Sequence, residues 1–170
     1  VVVADSGSTK TSWRLIDAGK LISAEETKGF NPLALSETDT VHVLHNSAIS
    51  RWPLADITNI YFYSAGLIGD AQQIRMRQHL TTLFTNAKVE AYTDLLGAAR
   101  ACFGNGQGII GIIGTGSNSG LYDGNQIVET IPPLGYILGD EGSGSALGKA
   151  LIREFLRNQL SDELSTSFKD

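Results

Sequence analysis

Four short segments of this chain carry residue types that do chemistry at the spacing found here. The first is Asp5-Ser6-Gly7-Ser8-Thr9-Lys10-Thr11. A turn of glycine and small hydroxyl residues lets backbone N–H groups converge on an anion. The Ser and Thr hydroxyls add donors, and Lys10 adds a compensating charge. Asp5, ending an apolar run, suits Mg²⁺, which takes few carboxylates and fills its shell with phosphate oxygens and water. The second segment, Gly114-Thr115-Gly116-Ser117-Asn118-Ser119-Gly120, repeats the pattern after another apolar run. Read singly, each is equally a polar turn, the first capped by Asp5 and the second with glycine at positive φ. Two such loops in one chain favour a pair of phosphate clamps, as a triphosphate held in a cleft would require.

Asp94 follows Tyr92-Thr93 and precedes Leu95-Leu96-Gly97-Ala98-Ala99, which sets it at a helix N-terminus. Aspartate is a favoured N-cap there. The same carboxylate can accept the proton of an attacking hydroxyl, a role worth about 10²–10⁴-fold in rate, and the two roles can coexist. The fourth segment, Gly135-Tyr136-Ile137-Leu138-Gly139-Asp140-Glu141-Gly142-Ser143-Gly144-Ser145, packs two acids among glycines ahead of a helix. The helix dipole explains the acids. The glycine density implies close approach by a backbone or a polar ligand such as a sugar hydroxyl. Asn31, in Gly29-Phe30-Asn31-Pro32, is a turn residue whose amide also suits a sugar hydroxyl, and Ser64-Ala65-Gly66 is similarly ambiguous. The first loop is neither a Walker loop nor a dinucleotide fingerprint, since the spacing differs and a strand follows rather than a helix.

The elements that must position these residues read as follows. Residues 1–5 form a buried strand, 12–17 a second and 21–27 a third, a β-meander with a polar first turn. Helical spacing covers 37–50, with Ser36 as N-cap, and 70–84 through Ile74, Leu80 and Leu83. Strands follow at 57–63 and 89–92, a helix at 94–103, and an apolar strand at 108–113 with a partner through Leu121 and Tyr122. The stretch 142–160 reads as the longest helix, and the last ten residues trail off in polar sequence, which with Val1 leads us to expect an incomplete chain. A meander followed by alternating helices and strands implies an α/β fold, its mixed sheet antiparallel at first and then parallel, with helices on both faces.

An internal echo strengthens the pairing of the loops. Val3-Ala4-Asp5-Ser6-Gly7-Ser8-Thr9 resembles Ile112-Ile113-Gly114-Thr115-Gly116-Ser117-Asn118, and the segment from Leu15 to Ile22 resembles that from Leu121 to Val128. Two copies of one unit separated by helices suggest a duplicated domain with a cleft between the copies and a boundary near 103–108.

Composition narrows the partners. Of 170 residues 42% are apolar and 18% charged, with 19 glycines and a net charge of −5; this is globular, and it lacks the basic stripe that nucleic acid requires. No apolar run is long enough for a membrane span, so no membrane partner is expected and the cytoplasm is the default compartment. The single cysteine, Cys102, excludes an internal disulfide and reads as a small core residue. His42, His45 and His79 lack metal-ligand spacing and read as surface or boundary residues, and Trp13 and Trp52 as packing.

Four stretches, from Ala4 to Thr11, Tyr92 to Ala98, Ile113 to Asn118 and Leu138 to Ser143, together resemble the superfamily of acetate and sugar kinases, heat-shock chaperones and actin. Within it the resemblance is to N-acetylglucosamine kinase and its relatives, grouped with the BadF/BadG/BcrA/BcrD-type ATPases. It implies a duplicated ribonuclease H-like, actin-like ATPase fold, with one domain at 1–106 and the start of a second, incomplete one at 107–170. It further implies ATP and Mg²⁺, with Ser6, Gly7, Ser8, Thr9, Lys10, Gly114, Thr115 and Gly116 at the phosphates and Asp5 near the metal. Asp94 becomes the base for the 6-hydroxyl of an amino sugar, and Asn31, Ser117, Asn118, Gly135 and Asp140 hold that sugar. The chain departs from the pattern at Ser6 and Ser8, where the family carries glycine, and at Leu134, where it carries tryptophan. A homodimer is one compatible assembly. The alternatives are an ATPase activator of a redox enzyme, which needs cluster-binding cysteines, and a non-catalytic sugar- or nucleotide-binding module.

Overall fold

A computed structural model describes residues 1–7, 9–30 and 37–169. The chain divides into two compact units, Val1–Ala101 and Cys102–Asp170.

In the first unit the meander forms as expected: β1 (Val2–Ser6), β2 (Lys10–Asp17) and β3 (Lys20–Lys28) pair antiparallel. Then come α1 (Glu37–His45), two 3₁₀ turns at Ala48–Arg51 and Leu54–Asp56, β4 (Asn59–Ser64), α2 (Asp70–Leu83), β5 (Lys88–Thr93) and α3 (Asp94–Phe103). Helical crossovers return the chain in the same direction, so β4 lies parallel to β1 and β5 parallel to β4, in the order β3-β2-β1-β4-β5. Alternation along the strands sends Val2, Ala4, Ile60, Phe62 and Ala91 to one face, where Leu44 of α1 and Met76, Leu80 and Leu83 of α2 bury them. Trp13 sits at the centre of this core. Its ring lies 6.0 Å from Phe30, 5.7 Å from Phe62 and 6.4 Å from Phe84, and its indole N–H donates to Thr27 Oγ1 at 2.9 Å. The opposite face, bearing Asp5, Tyr63 and Tyr92, receives α3.

Two helices differ from the sequence reading, one in its end and one in its buried face. Helix α1 stops at His45 because Asn46 Nδ2 donates to the His42 carbonyl at 2.9 Å and Ser47 Oγ to that of Leu44 at 2.7 Å, side chains competing with the continuing backbone. In α2 the buried stripe is Met76, Leu80 and Leu83, while Ile74 is exposed.

The second unit begins with another antiparallel meander, β6 (Gly108–Ile113), β7 (Ser117–Tyr122) and β8 (Ile127–Ile131), in the order β6-β7-β8. Both meanders carry a register irregularity at equivalent dipeptides, Leu15/Ile16 in β2 and Leu121/Tyr122 in β7. A register shift repeated at aligned positions parallels the echo read in the sequence. Tyr122 is buried, its ring 6.4 Å from Phe103 and its hydroxyl donating to the Gly104 carbonyl at 3.0 Å. Helices α4 (Gly135–Leu138), α5 (Gly144–Leu156) and α6 (Asp162–Lys169) follow. The expected helix over 142–160 is thus α5, shorter than the 14-residue α2, and it ends before Asn158, which adopts φ +54°. The polar tail is helical: Ser161 accepts from Leu164 N–H, and Phe168 meets Phe155 at 4.7 Å. Cys102 is exposed at the end of α3 and not in the core. Among the described residues no helix is long and apolar enough to cross a membrane.

Candidate functional site

Strands β1, β4 and β5 run parallel and finish in register at Ser6, Ser64 and Thr93. The carboxyl ends of parallel strands are where open α/β sheets place their chemistry. Asp5, level with Tyr63 and Tyr92, stands on the α3 side of the sheet, exposed, its carboxylate with no hydrogen bond or ion pair among the described residues. Asp94 is the first residue of α3 and half-buried.

The sequence offered N-cap duty as the structural role of Asp94, but Thr93 performs it. Thr93 Oγ1 accepts the Leu96 N–H at 3.3 Å, the bond from N-cap side chain to N3 amide that starts a helix. Asp94 Oδ1 accepts from the adjacent Leu95 N–H at 2.8 Å, a bond that leaves the first-turn Leu96 amide to Thr93. Burial raises the Asp94 carboxyl above the ordinary aspartate range and the charge of Asp5 pushes the same way, against a lowering by the Leu95 N–H. A carboxylate so raised is a better proton acceptor near neutral pH.

Helix α3 owes its closeness to the sheet to Gly97, where a Cβ would lie 2.7 Å from Tyr63 Cγ. Arg100 rests 4.5 Å above the Tyr92 ring centroid and donates to the Tyr63 hydroxyl at 3.2 Å. Tyr92 in turn donates to Glu90, which pairs with Lys88 at 2.6 Å. This network braces the helix that carries Asp94.

The first loop is more closed than its composition suggests. The Gly7 N–H donates to the Lys10 carbonyl at 2.9 Å, completing the hairpin. Ser6 is buried, its hydroxyl accepting from Phe30 N–H at 2.9 Å and from the Thr11 hydroxyl at 2.7 Å. Ser64 Oγ donates to the Phe30 carbonyl at 3.2 Å. These hydroxyls tie the ends of β1, β2 and β4 to Phe30, so the Ser6 side chain faces inward and not toward a phosphate. Lys10 Nζ is paired with Glu26 at 2.8 Å across β2 and β3. Thr9 is exposed. Ser8 and Asn31 lie outside the described residues, as does Ser36.

The second loop, 114–116 between β6 and β7, is held from outside. The first two amides of α5 reach into it: Gly144 N–H donates to the Gly114 carbonyl at 2.9 Å and Ser145 N–H to that of Thr115 at 3.1 Å. A trans peptide points its N–H opposite its C=O, so the Thr115 and Gly116 amides turn away from α5. Neither has an acceptor among the described residues. Two adjacent outward amides make an anion-binding concavity. Gly114 and Gly116 both avoid positive φ; a Cβ at Gly116 would lie 2.9 Å from Asp140 Oδ1, so a side chain there would displace that carboxylate. Asp140 Oδ1 accepts Ser117 N–H at 3.1 Å. Asn118 Oδ1 accepts from Ser119 N–H at 2.8 Å, and its amide nitrogen has no acceptor among the described residues. Gly135, at φ +68°, gives its carbonyl to Gly139 N–H and belongs to the turn that presents Asp140.

The structure therefore groups Asp5 with Asp94 in the first unit, and Gly114, Thr115, Gly116, Ser117 and Asn118 with Asp140 in the second. Sequence reasoning missed the caps Thr93 and Ser143, the latter buried and accepting Ala146 N–H at 3.1 Å. A Ser or Thr preceding each helix was the available signal. Among the described residues no three of His, Cys, Asp and Glu could hold a metal between them.

No protein-family model matches the chain, and no curated protein does. Solved structures do. A candidate N-acetylglucosamine kinase from Porphyromonas gingivalis is 37% identical over 99% of this chain, with a TM-score of 0.93. A second from Chromobacterium violaceum is 20% identical over 98%, with a TM-score of 0.69, and an ROK hexokinase from Thermus thermophilus 20% over 97%, with a TM-score of 0.56; these two show the fold. The chain spans 60%, 62% and 66% of those proteins respectively. By that similarity and shared fold, the chain resembles these kinases and has the α/β fold of the actin-like ATPases.

Proposed function

We propose that the whole protein is an ATP-dependent carbohydrate kinase that phosphorylates an amino sugar, N-acetylglucosamine at its 6-hydroxyl being the first candidate. The observation that carries this reading is Asp94, a half-buried carboxylate relieved of capping by Thr93 and with its proton affinity raised by burial and by Asp5. Similarity to the Porphyromonas gingivalis protein supplies the sugar class.

In this reading Asp94 takes the proton of the attacking hydroxyl, while the outward amides of Thr115 and Gly116 receive phosphate oxygens. Thr9 and Ser8 serve the phosphates from the first loop, with Lys10 once it leaves Glu26. Asp5 fits Mg²⁺, since it is exposed and unpaired, and this ion needs few protein carboxylates when phosphate and water complete its shell. When bound, the ion neutralises phosphate charge. Asn31, Ser117, Asn118, Gly135 and Asp140 are proposed to line the sugar site. The second unit is proposed as the start of a second ribonuclease H-like domain.

The test is ADP release by the full-length protein across a panel of sugars and amino sugars. Turnover stimulated by N-acetylglucosamine and lost in Asp94→Asn is the expected result. Sugar-independent ATP hydrolysis, or none, would remove the kinase reading.

A further inference from the structure

We infer that Asp140 is a positioning residue for the 114–116 loop, and that its carboxylate couples sugar binding to nucleotide binding. The coupling rests on the kinase reading; the loop contact does not. Oδ1 accepts the Ser117 N–H at 3.1 Å, and Oδ2 has no donor among the described residues. A hydrogen bond to an ionised acceptor is roughly twice as strong as a neutral one. The carboxylate is aimed by its own backbone: Asp140 adopts φ +58°, its N–H donates to the Pro133 carbonyl at 3.1 Å, and its carbonyl accepts from Ser143 N–H at 3.0 Å. Left-handed backbone is strained for most residues but tolerated by aspartate. The loop makes room for this side chain at Gly116, where a Cβ would meet both carboxylate oxygens, at 2.9 and 3.2 Å.

The loop is thus fixed at two points. The α5 amides take the carbonyls of Gly114 and Thr115, and Asp140 takes the amide of Ser117 where β7 begins. Between these points lie the two outward amides. A sugar hydroxyl donating to Oδ2 holds the carboxylate where Oδ1 must be, and so holds the amides where phosphate oxygens need them. Linkage makes the effect reciprocal, so nucleotide must tighten sugar by the same factor.

The test uses Asp140→Ala and Asp140→Asn in the full-length protein, with calorimetric titration of a non-hydrolysable ATP analogue in the presence and absence of N-acetylglucosamine. Asn keeps an oxygen for Ser117 N–H and loses the charge. Without sugar, Asp140→Ala should weaken the analogue about tenfold, the loss of one charge-assisted hydrogen bond, while Asp140→Asn, which keeps a neutral bond about half as strong, should weaken it only about threefold. Sugar should tighten the analogue in the unaltered protein and in neither variant. A plain sugar ligand would leave analogue binding without sugar unchanged in both, which overturns the inference. Hydrogen exchange at the Ser117 amide, with no ligand present, separates this from failure of the kinase reading. Faster exchange in Asp140→Ala, with unaltered protein and Asp140→Asn alike, supports the clamp even in a protein that binds no nucleotide; equal exchange in all three removes it.

Discussion

The two meanders begin alike and end differently at their first turn. The sequence aligns Asp5-Ser6-Gly7 with Gly114-Thr115-Gly116, yet β1 continues as strand through Ser6 while β6 stops at Ile113. Strand β1 has a partner on each side, β2 and β4, and the buried hydroxyls of Ser6 and Thr11 close it to the end. Strand β6 has β7 alone among the described residues, and α5 and Asp140 take the polar groups of its loop. One pattern therefore yields two devices. The first unit closes its loop with buried hydroxyls and the Gly7 N–H and offers carboxylates at strand ends; the second turns two amides outward and keeps its carboxylate as a brace.

The sharpest way to break this contrast is Asp94→Asn. Turnover should fall by about 10²–10⁴-fold, the range for a lost general base, with the fold intact since Thr93 remains the cap. Stability should move the other way. The folded carboxyl keeps its proton to a higher pH than the unfolded one, so the native state binds more protons across that window and stability falls as pH rises through it. Above the folded pKa the full penalty is present. Asp94→Asn should melt higher at neutral pH, and its advantage should vanish as pH falls below the unfolded value of about 3.9. An unchanged melting temperature would mean that Asp94 carries no such penalty.

Ser6→Ala tests whether the first loop is built inward. It leaves the buried Phe30 N–H without its acceptor, a cost of about 1–3 kcal/mol in denaturant unfolding. Nucleotide affinity should hold if the hydroxyl faces the core and fall if it meets phosphate. Gly97→Ala tests the seat of Asp94. The added methyl meets Tyr63 at 2.7 Å, overpacking that costs about 1–3 kcal/mol, and displacement of α3 should lower kcat more than it raises KM for the sugar. Tyr63→Leu in the same chain should recover part of both.

The elements were legible because their signals are local. The apolar runs of β1 and β6, the Asp/Gly turns and the periodicity of α3 give strands and helix nearly to the residue, and the echo gives the repeated meander. What was not legible is contact between segments far apart in sequence. Nothing around Ser6 announces that Phe30 takes its hydroxyl, and nothing around Gly116 says that its missing side chain makes room for Asp140. The polar tail hid α6 because two aromatics thirteen residues apart, Phe155 and Phe168, stabilise it rather than a long apolar stripe. Cys102 sat in an apolar run but on the exposed side of a helix end, where run and burial part company.

The smallest expected effect concerns Lys10, the one first-loop cation proposed for phosphate. It holds the Glu26 carboxyl below its ordinary range, chiefly through their hydrogen bond, on a pair that lies at the surface. For an acid lowered on folding, the contribution is present above the unfolded pKa and is lost as pH falls through the folded one; exposure and salt keep it slight. The pair therefore does little for stability and can yield to a phosphate. Glu26→Gln frees the ammonium, so KM for ATP should fall about twofold, and Lys10→Met should raise it by a similar factor, the scale of one screened surface charge. Both shifts should shrink as salt is added. If neither variant moves KM, Lys10 serves only the seam between β2 and β3, and the first unit binds phosphate without a cation of its own.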